Sequence, residues 1–170
     1  MNQFMNHKNV LFLTQAALIA AIYCILTYLF AAFSFGQVQV RISEALTILP
    51  LFTPAAVPGL FIGCLIGNLL GGALLPDIIF GSLATLIGAC GTYLLRKKSH
   101  YLAPLPPILA NTILVPMVLR FAYGITLPIP FLMLSVGIGE VISCGILGLI
   151  LYPALYKYRQ IFRLETLLGT

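Results

Sequence analysis

Apolar residues run through this chain in long blocks, broken at only a few places. Residues 9–34 carry no formal charge and form a block long enough to cross a bilayer, for which roughly 20 residues suffice. The apolar core of a cleaved signal peptide is only about 7–15 residues, so the block reads as a retained span. Residues 77–95 form a second clear span, stopped by Arg96, Lys97 and Lys98. Residues 102–123 and 131–156 form two more, the last stopped by Lys157, Arg159 and Arg163.

The stretch from Arg41 to Gly72 is harder to divide. As one helix it would be about 48 Å long at 1.5 Å per residue, too long for a ~30 Å hydrocarbon core without strong tilt. Pro50, Pro54 and Pro58 fall in its middle, in "LPLFTPAAVPG". Proline removes a backbone donor and disfavours helix at the residue before it. A hairpin of two short helices, 41–53 and 57–73, is therefore expected. Charge parity agrees. Positive loops stay cytoplasmic, and placing Lys8 and the Arg96–Lys98 cluster on one side needs an even number of spans between them. The fold expected is an all-α integral membrane protein, a compact bundle of six transmembrane helices. It forms a single domain over residues 1–170, with both termini cytoplasmic.

Composition supports lipid as the solvent. The chain is 61% hydrophobic and 8% charged, against about 25% charged in soluble domains, and its mean hydropathy is +1.07. A soluble fold of this size could not bury so much apolar surface. The net charge of +5 says little about nucleic acid, because its distribution follows the loops. Cys24, Cys64, Cys90 and Cys144 each sit alone in an apolar run and read as small buried hydrophobes. His7 and His100 have no partner ligands nearby, so no metal site is expected. The chain has no phosphate loop ending in Lys-Ser/Thr, no Gly-x-Ser-x-Gly elbow and no His-Glu-x-x-His. Neither a cofactor nor a catalytic residue is expected.

The remaining charges all fall in the outer half of the six-span layout. Arg41 and Glu44 start the second helix, Asp77 starts the fourth, and Arg120 lies near the outer end of the fifth. Glu140 lies in the sixth helix, about 13 Å below the outer surface. A carboxylate at that depth costs roughly 2.5–3.5 kcal/mol even on insertion scales, so a cavity or a partner is expected there, with Arg120 as the candidate partner. Simpler readings stand beside the others: a surface ion pair for Arg41 and Glu44, and helix N-terminal stabilisation for Asp77. Two arginines against three acids suit a polar ligand rich in donors, cations included, and do not suit a phosphate ester. Asn68 and Asn111 add uncharged polar groups, and Gln37 and Gln39 lie in a loop that could cap the site. Gly59, Gly63, Gly67 and Gly71 form a smooth stripe for close helix packing within the bundle. Ala16, Ala17, Ala20 and Ala21 form a small face on the first helix, for packing within the bundle or against another protein.

The stretch "RISEALTILPLFTPAAVPGLFIGCLIGNLLGGALLPDIIFGSLATLIGA", Arg41 to Ala89, closely resembles the QueT family, substrate-binding S components of energy-coupling factor (ECF) transporters assigned to queuosine precursors. The resemblance implies a six-helix membrane protein that binds a vitamin-like molecule from the extracellular side, with no chemistry of its own. It implies assembly with a transmembrane coupling protein and two ATPase subunits, and a toppling motion that delivers the ligand. It also implies a docking motif of the form Ala-x-x-x-Ala on the first helix, at Ala17 and Ala21 or one register earlier at Ala16 and Ala20. The implied ligand is a 7-deazaguanine such as the 7-aminomethyl form. Its guanine edge offers adjacent N–H donors that one carboxylate can accept, and a second carboxylate can hold the ammonium. Glu140 and Glu44 are the candidates for these roles, with Asn68, Asn111 and Arg120 at the remaining edges and Asp77 and Arg41 completing the site.

Two other readings compete. One is a stand-alone secondary transporter, proton-coupled through Glu140 or Asp77. The other is an intramembrane enzyme, for which "GIGE", Gly137 to Glu140, is a weak match with Glu in place of Asp, and whose general acid–base work needs a second acid. The six-span layout sets an expected labelling pattern in a cysteine-free background. Gln39→Cys should react with an impermeant thiol reagent on intact cells and Lys98→Cys should not; labelling of both from one side breaks the layout.

Overall fold

The computed structural model describes residues 2–30 and 40–162, with side chains from residue 7 onward. All regular structure among them is helical. The elements are α1 (Asn2–Leu29), a 3-10 helix η1 (Ile42–Leu51), α2 (Ala56–Leu70), α3 (Leu75–Leu95), α4 (Leu105–Phe121) and α5 (Ile129–Lys157). Short 3-10 turns follow α3 at His100–Leu102 and α5 at Arg159–Phe162. Four helices are long and apolar enough to cross a membrane, while η1 and α2 are shorter. The first helix begins before the apolar block of the sequence and ends at Leu29 rather than Ser34. Gln37, Gln39 and Arg163 lie outside the described residues.

The prolines shape the stretch between Arg41 and Gly72. Pro50 lies inside η1, and the chain turns between Phe52 and Ala55 before α2 starts. A 3-10 helix rises about 2.0 Å per residue against 1.5 Å in an α-helix, so η1 covers more depth than its length suggests. Ser43, Glu44, Ala45, Thr47, Ile48, Leu49 and Pro50 of η1 are all buried, and η1 packs against α1, α2, α3 and α5. It is the innermost element of the bundle.

The glycine stripe of α2 lies against α1. A Cβ on Gly59 would come within 2.8 Å of the Ala16 carbonyl, and one on Gly63 within 2.9 Å of the Ala20 carbonyl. Gly67 faces the Thr27 side chain, 3.1 Å from where its Cβ would sit. Without a hydrophobic drive between helices in lipid, such close backbone approach is what holds them together. The α3–α4 contact repeats the device, with Gly88 against Pro107. Gly72 adopts φ 76° in the α2–α3 turn, where the Ala73 amide donates back to the Asn68 carbonyl at 3.0 Å. This left-handed helix stop favours glycine.

Apolar side chains also cover the outside. Leu13, Leu18, Ile25, Leu69, Ile87, Leu109, Leu134 and Ile150 are exposed, a belt that water would not tolerate and lipid accepts. The two ends of the bundle differ in charge. Arg41 and Asp77 pair at one end. At the other, Arg96, Lys98 and Arg159 gather around one cavity, and Gln15 of α1 reaches the Ile161 carbonyl, which places Lys8, two turns earlier on α1, toward the same end.

Side chains at the α1–α2 contact should therefore be costly. Gly63→Val pushes branched carbon into the α1 backbone and should lower stability by roughly 1–3 kcal/mol. Gly72→Ala meets open space and costs only the left-handed backbone, about 1 kcal/mol. Thermal melts of the two purified variants in detergent should rank them in that order.

Candidate functional site

In a 3-10 helix residues three apart eclipse one another. Arg41, Glu44 and Thr47 thus line one edge at and after the start of η1, and that edge faces the bundle interior. Glu44 is fully buried. One of its oxygens, Oε1, accepts from the Tyr23 hydroxyl of α1 and from Thr85 Oγ1 of α3 at 3.1 Å. Its other oxygen, Oε2, has no hydrogen-bond partner among the described residues. Thr47 Oγ1 donates to the Glu44 carbonyl at 2.6 Å, which braces the tight turn under the carboxylate.

Glu140 arrives from the opposite wall. It ends the first α-helical part of α5, and the next residues, Val141–Leu147, form a π-helix. π-turns are rare and concentrate at functional sites. Here the wide turn carries Cys144, whose thiol contacts Glu140 Oε2 at 3.2 Å and lies within 3.4 Å of Thr47 Oγ1. Carboxylate oxygens of Glu44 and Glu140 and the Cys144 sulfur all fall within 4.8 Å of one another, and all three residues are buried. Asn111 of α4 sits beside Glu140, yet neither atom of its amide meets hydrogen-bond geometry with a described residue.

A second polar group lies nearer the end of the bundle. Arg41 Nη2 is 3.7 Å from Asp77 Oδ1, with both side chains buried. Tyr123, just past α4, donates to Asp77 Oδ2 at 3.0 Å and accepts from the Leu74 amide at 3.2 Å. Asn68 of α2 is fully buried, and its Oδ1 has no partner among the described residues. Gly81 marks where these groups converge. A Cβ there would sit 3.1 Å from Asp77 Oδ1, 3.2 Å from Asn68 Nδ2 and 3.8 Å from Arg41 Nη1.

Six of the seven residues singled out from the sequence as ligand-binding (Arg41, Glu44, Asn68, Asp77, Asn111 and Glu140) are thus buried in the bundle interior. Arg120 is the exception. It donates from Nη1 to the Ile125 carbonyl at 3.0 Å and makes no ion pair with Glu140. The guanidinium reaches past the end of α4 to an orphan carbonyl, as long cationic side chains near helix ends do. Nor do Arg41 and Glu44 form a surface pair; the ion pair of Arg41 is with Asp77. The interior consequently holds one guanidinium against three carboxylates. On α1, Ala16 and Ala20 are buried against α2, whereas Ala17 and Ala21 are exposed.

Sequence reading missed Tyr23, Thr85, Cys144 and Tyr123. A tyrosine and a threonine inside apolar runs are weak polar signals, and they gain meaning only opposite a buried carboxylate. Buried oxygen and nitrogen atoms without partners are few in folded proteins. Here Glu44 Oε2, Asn68 Oδ1, both Asn111 atoms, Thr112 Oγ1 and Ser143 Oγ have no hydrogen-bond partner among the described residues, and Asp77 Oδ1 has only its ion pair with Arg41. They are mostly acceptors, chemistry that suits a donor-rich partner. Two carboxylates and a thiol could also approach a metal ion, although they fall short of the four donors of a closed structural zinc site.

The family model for the QueT transporter matches residues 13–157. The queuosine precursor transporter QueT of Lactococcus lactis subsp. cremoris (strain MG1363) is 38% identical over 73 residues, which cover 42% of this chain and 43% of that protein. The aligned part thus spans less than half the length of that relative. No solved structure matches the chain.

Asp77→Asn should remove the carboxylate that pairs with the buried Arg41 guanidinium, at a cost on the order of 3 kcal/mol. Replacing both members of the pair by apolar residues, Arg41→Met with Asp77→Leu, should recover most of the loss. Melting of the single and double variants in detergent checks this.

Proposed function

The chain belongs to the QueT transporter family, and from that premise we propose that it captures a queuosine precursor, a 7-deazaguanine such as 7-aminomethyl-7-deazaguanine, from the outer side of the cell membrane. The multi-pass helical body, the family match and the name of the Lactococcus protein support transport of such a molecule. One observation carries the choice of ligand chemistry: Glu44 and Glu140 meet in a buried interior that is short of positive charge. A guanine-type edge presents adjacent N–H donors, which one carboxylate accepts side by side, and the aminomethyl ammonium supplies the missing cation to the other. Asn68 and Asn111 offer the remaining acceptors and donors. The Arg41–Asp77 pair and Tyr123 stand between this interior and the nearer end of the bundle.

In the same reading the chain is the S component of an ECF importer. A transmembrane coupling protein and ATPase subunits supply ATP hydrolysis, and the basic end faces the cytoplasm. Ala17 and Ala21 are the exposed pair on α1 and form the docking face, while Ala16 and Ala20 serve the α2 contact. A proton-coupled carrier that works alone is the competing reading, since two carboxylates within reach of each other also suit proton transfer. Uptake that persists after removal of every partner ATPase would favour it.

Calorimetry with the purified chain should show binding of 7-aminomethyl-7-deazaguanine and none of common vitamins. Glu140→Gln and Glu44→Gln should each weaken that binding roughly tenfold or more, the worth of one charge-assisted hydrogen bond. Unchanged affinity in either variant removes that residue from the ligand's contacts.

A further inference from the structure

The basic end of the bundle holds a second concave site. A cavity of about 340 Å³ is lined by Arg96, Lys98, His100 and Arg159, with the Tyr152 and Tyr156 rings in its walls. These residues come from separate parts of the chain: the end of α3, the turn after it, the lower part of α5 and the 3-10 turn beyond. The positive-inside rule accounts for basic residues on this side of the membrane. It does not require them to surround one cavity.

Their positions are held by ring contacts. His100 stacks on Tyr152, with centroids 4.3 Å apart and planes 6° from parallel. The Arg159 guanidinium lies 4.1 Å from the Tyr156 ring centroid. Arg96 lies 3.7 Å from the Tyr93 ring centroid and donates to the Tyr93 carbonyl at 3.1 Å. The chain's acids are Glu44, Asp77, Glu140 and Glu165. The first three belong to the interior cluster, and Glu165 lies outside the described residues. Among the described residues no carboxylate pairs with Arg96, Lys98 or Arg159.

Tyr93, Tyr101, Tyr152, Tyr156 and Tyr158, five of the chain's eight tyrosines, gather at this end, as aromatic side chains do at the membrane–water boundary. Leu94, Tyr101 and Ile150, each within two residues of a lining residue in sequence, are exposed apolar surface, suited to acyl chains. Basic pockets between membrane helices on the cytoplasmic side are places where lipid phosphates bind. We propose that this cavity is a binding site for the phosphate headgroup of an anionic phospholipid in the leaflet that meets the Arg96–Arg159 end.

The site is independent of the solute proposed for the interior cluster. The lipid phosphate is held by Arg96, Lys98 and Arg159, with the Tyr156 hydroxyl and His100 as further hydrogen-bonding groups. The purified full-length chain in a neutral detergent is titrated with phosphatidylglycerol, phosphatidylcholine or inorganic phosphate, and binding is followed by native mass spectrometry and by the shift in melting temperature. Phosphatidylglycerol is expected to bind and to raise the melting temperature, with no comparable effect from the other two. Arg96→Gln with Arg159→Gln should weaken its binding by about 25-fold, roughly fivefold for each charge removed, while Arg96→Lys with Arg159→Lys retains most of it. Equal binding of the two lipids overturns the proposal, because the surface then takes any lipid. So does inorganic phosphate binding as well as phosphatidylglycerol, which makes the site one for free anions. Undiminished phosphatidylglycerol binding in the double glutamine variant overturns the assigned residues. The comparison of lipids on the unmodified chain decides the matter even if the variant fails to fold.

Discussion

Everything in this bundle is arranged around a carboxylate that lipid would otherwise reject. Glu44 is fully buried, and an uncompensated charge in such a place costs several kcal/mol. The fold meets that cost by surrounding Glu44 with donors from different helices. Tyr23 of α1 and Thr85 of α3 satisfy one of its oxygens. To bring those donors in, α1 must lie close, and the glycine stripe of α2 allows it. The 3-10 geometry of η1 then stacks Arg41 and Thr47 on the same edge as Glu44. Helix type, the glycine stripe and the choice of threonine and tyrosine are thus parts of one arrangement.

That arrangement does not pair every polar atom among the described residues. If the interior were only structural, its polar atoms would be paired, since a half-satisfied buried network is less stable than an apolar one. Glu44 Oε2, Asn68 Oδ1 and both Asn111 amide atoms instead have no hydrogen-bond partner among the described residues. The π-helical turn after Glu140 contributes in the same sense. It carries Cys144 and Ser143 into the buried interior without breaking α5.

Much of the fold could be read from the chain because lipid imposes simple rules. Long uncharged blocks must be spans, prolines must break them, and an acid such as Glu140 within a span must be there for a reason. Which residues pair could not be read. Arg41 joins Asp77 rather than its near neighbour Glu44, because the partner choice depends on how η1 and α3 cross. Arg120 satisfies a local carbonyl, a contact set by the loop after α4 and not by any pattern along the chain. Cys144 looks like any small apolar residue until the π-turn places it beside Glu140, and no residue spacing announces that turn.

The separation of charge between the two ends has an electrical consequence. Free cations collect at one pole, and the carboxylates lie toward the other. Moving one elementary charge through a membrane potential involves about 2.3 kcal/mol per 100 mV. Tilting that carries Arg96, Lys98 and Arg159 from a negative side of a membrane into its interior works against such a field. A field of that sign thus opposes such a tilt, and its collapse removes the opposition.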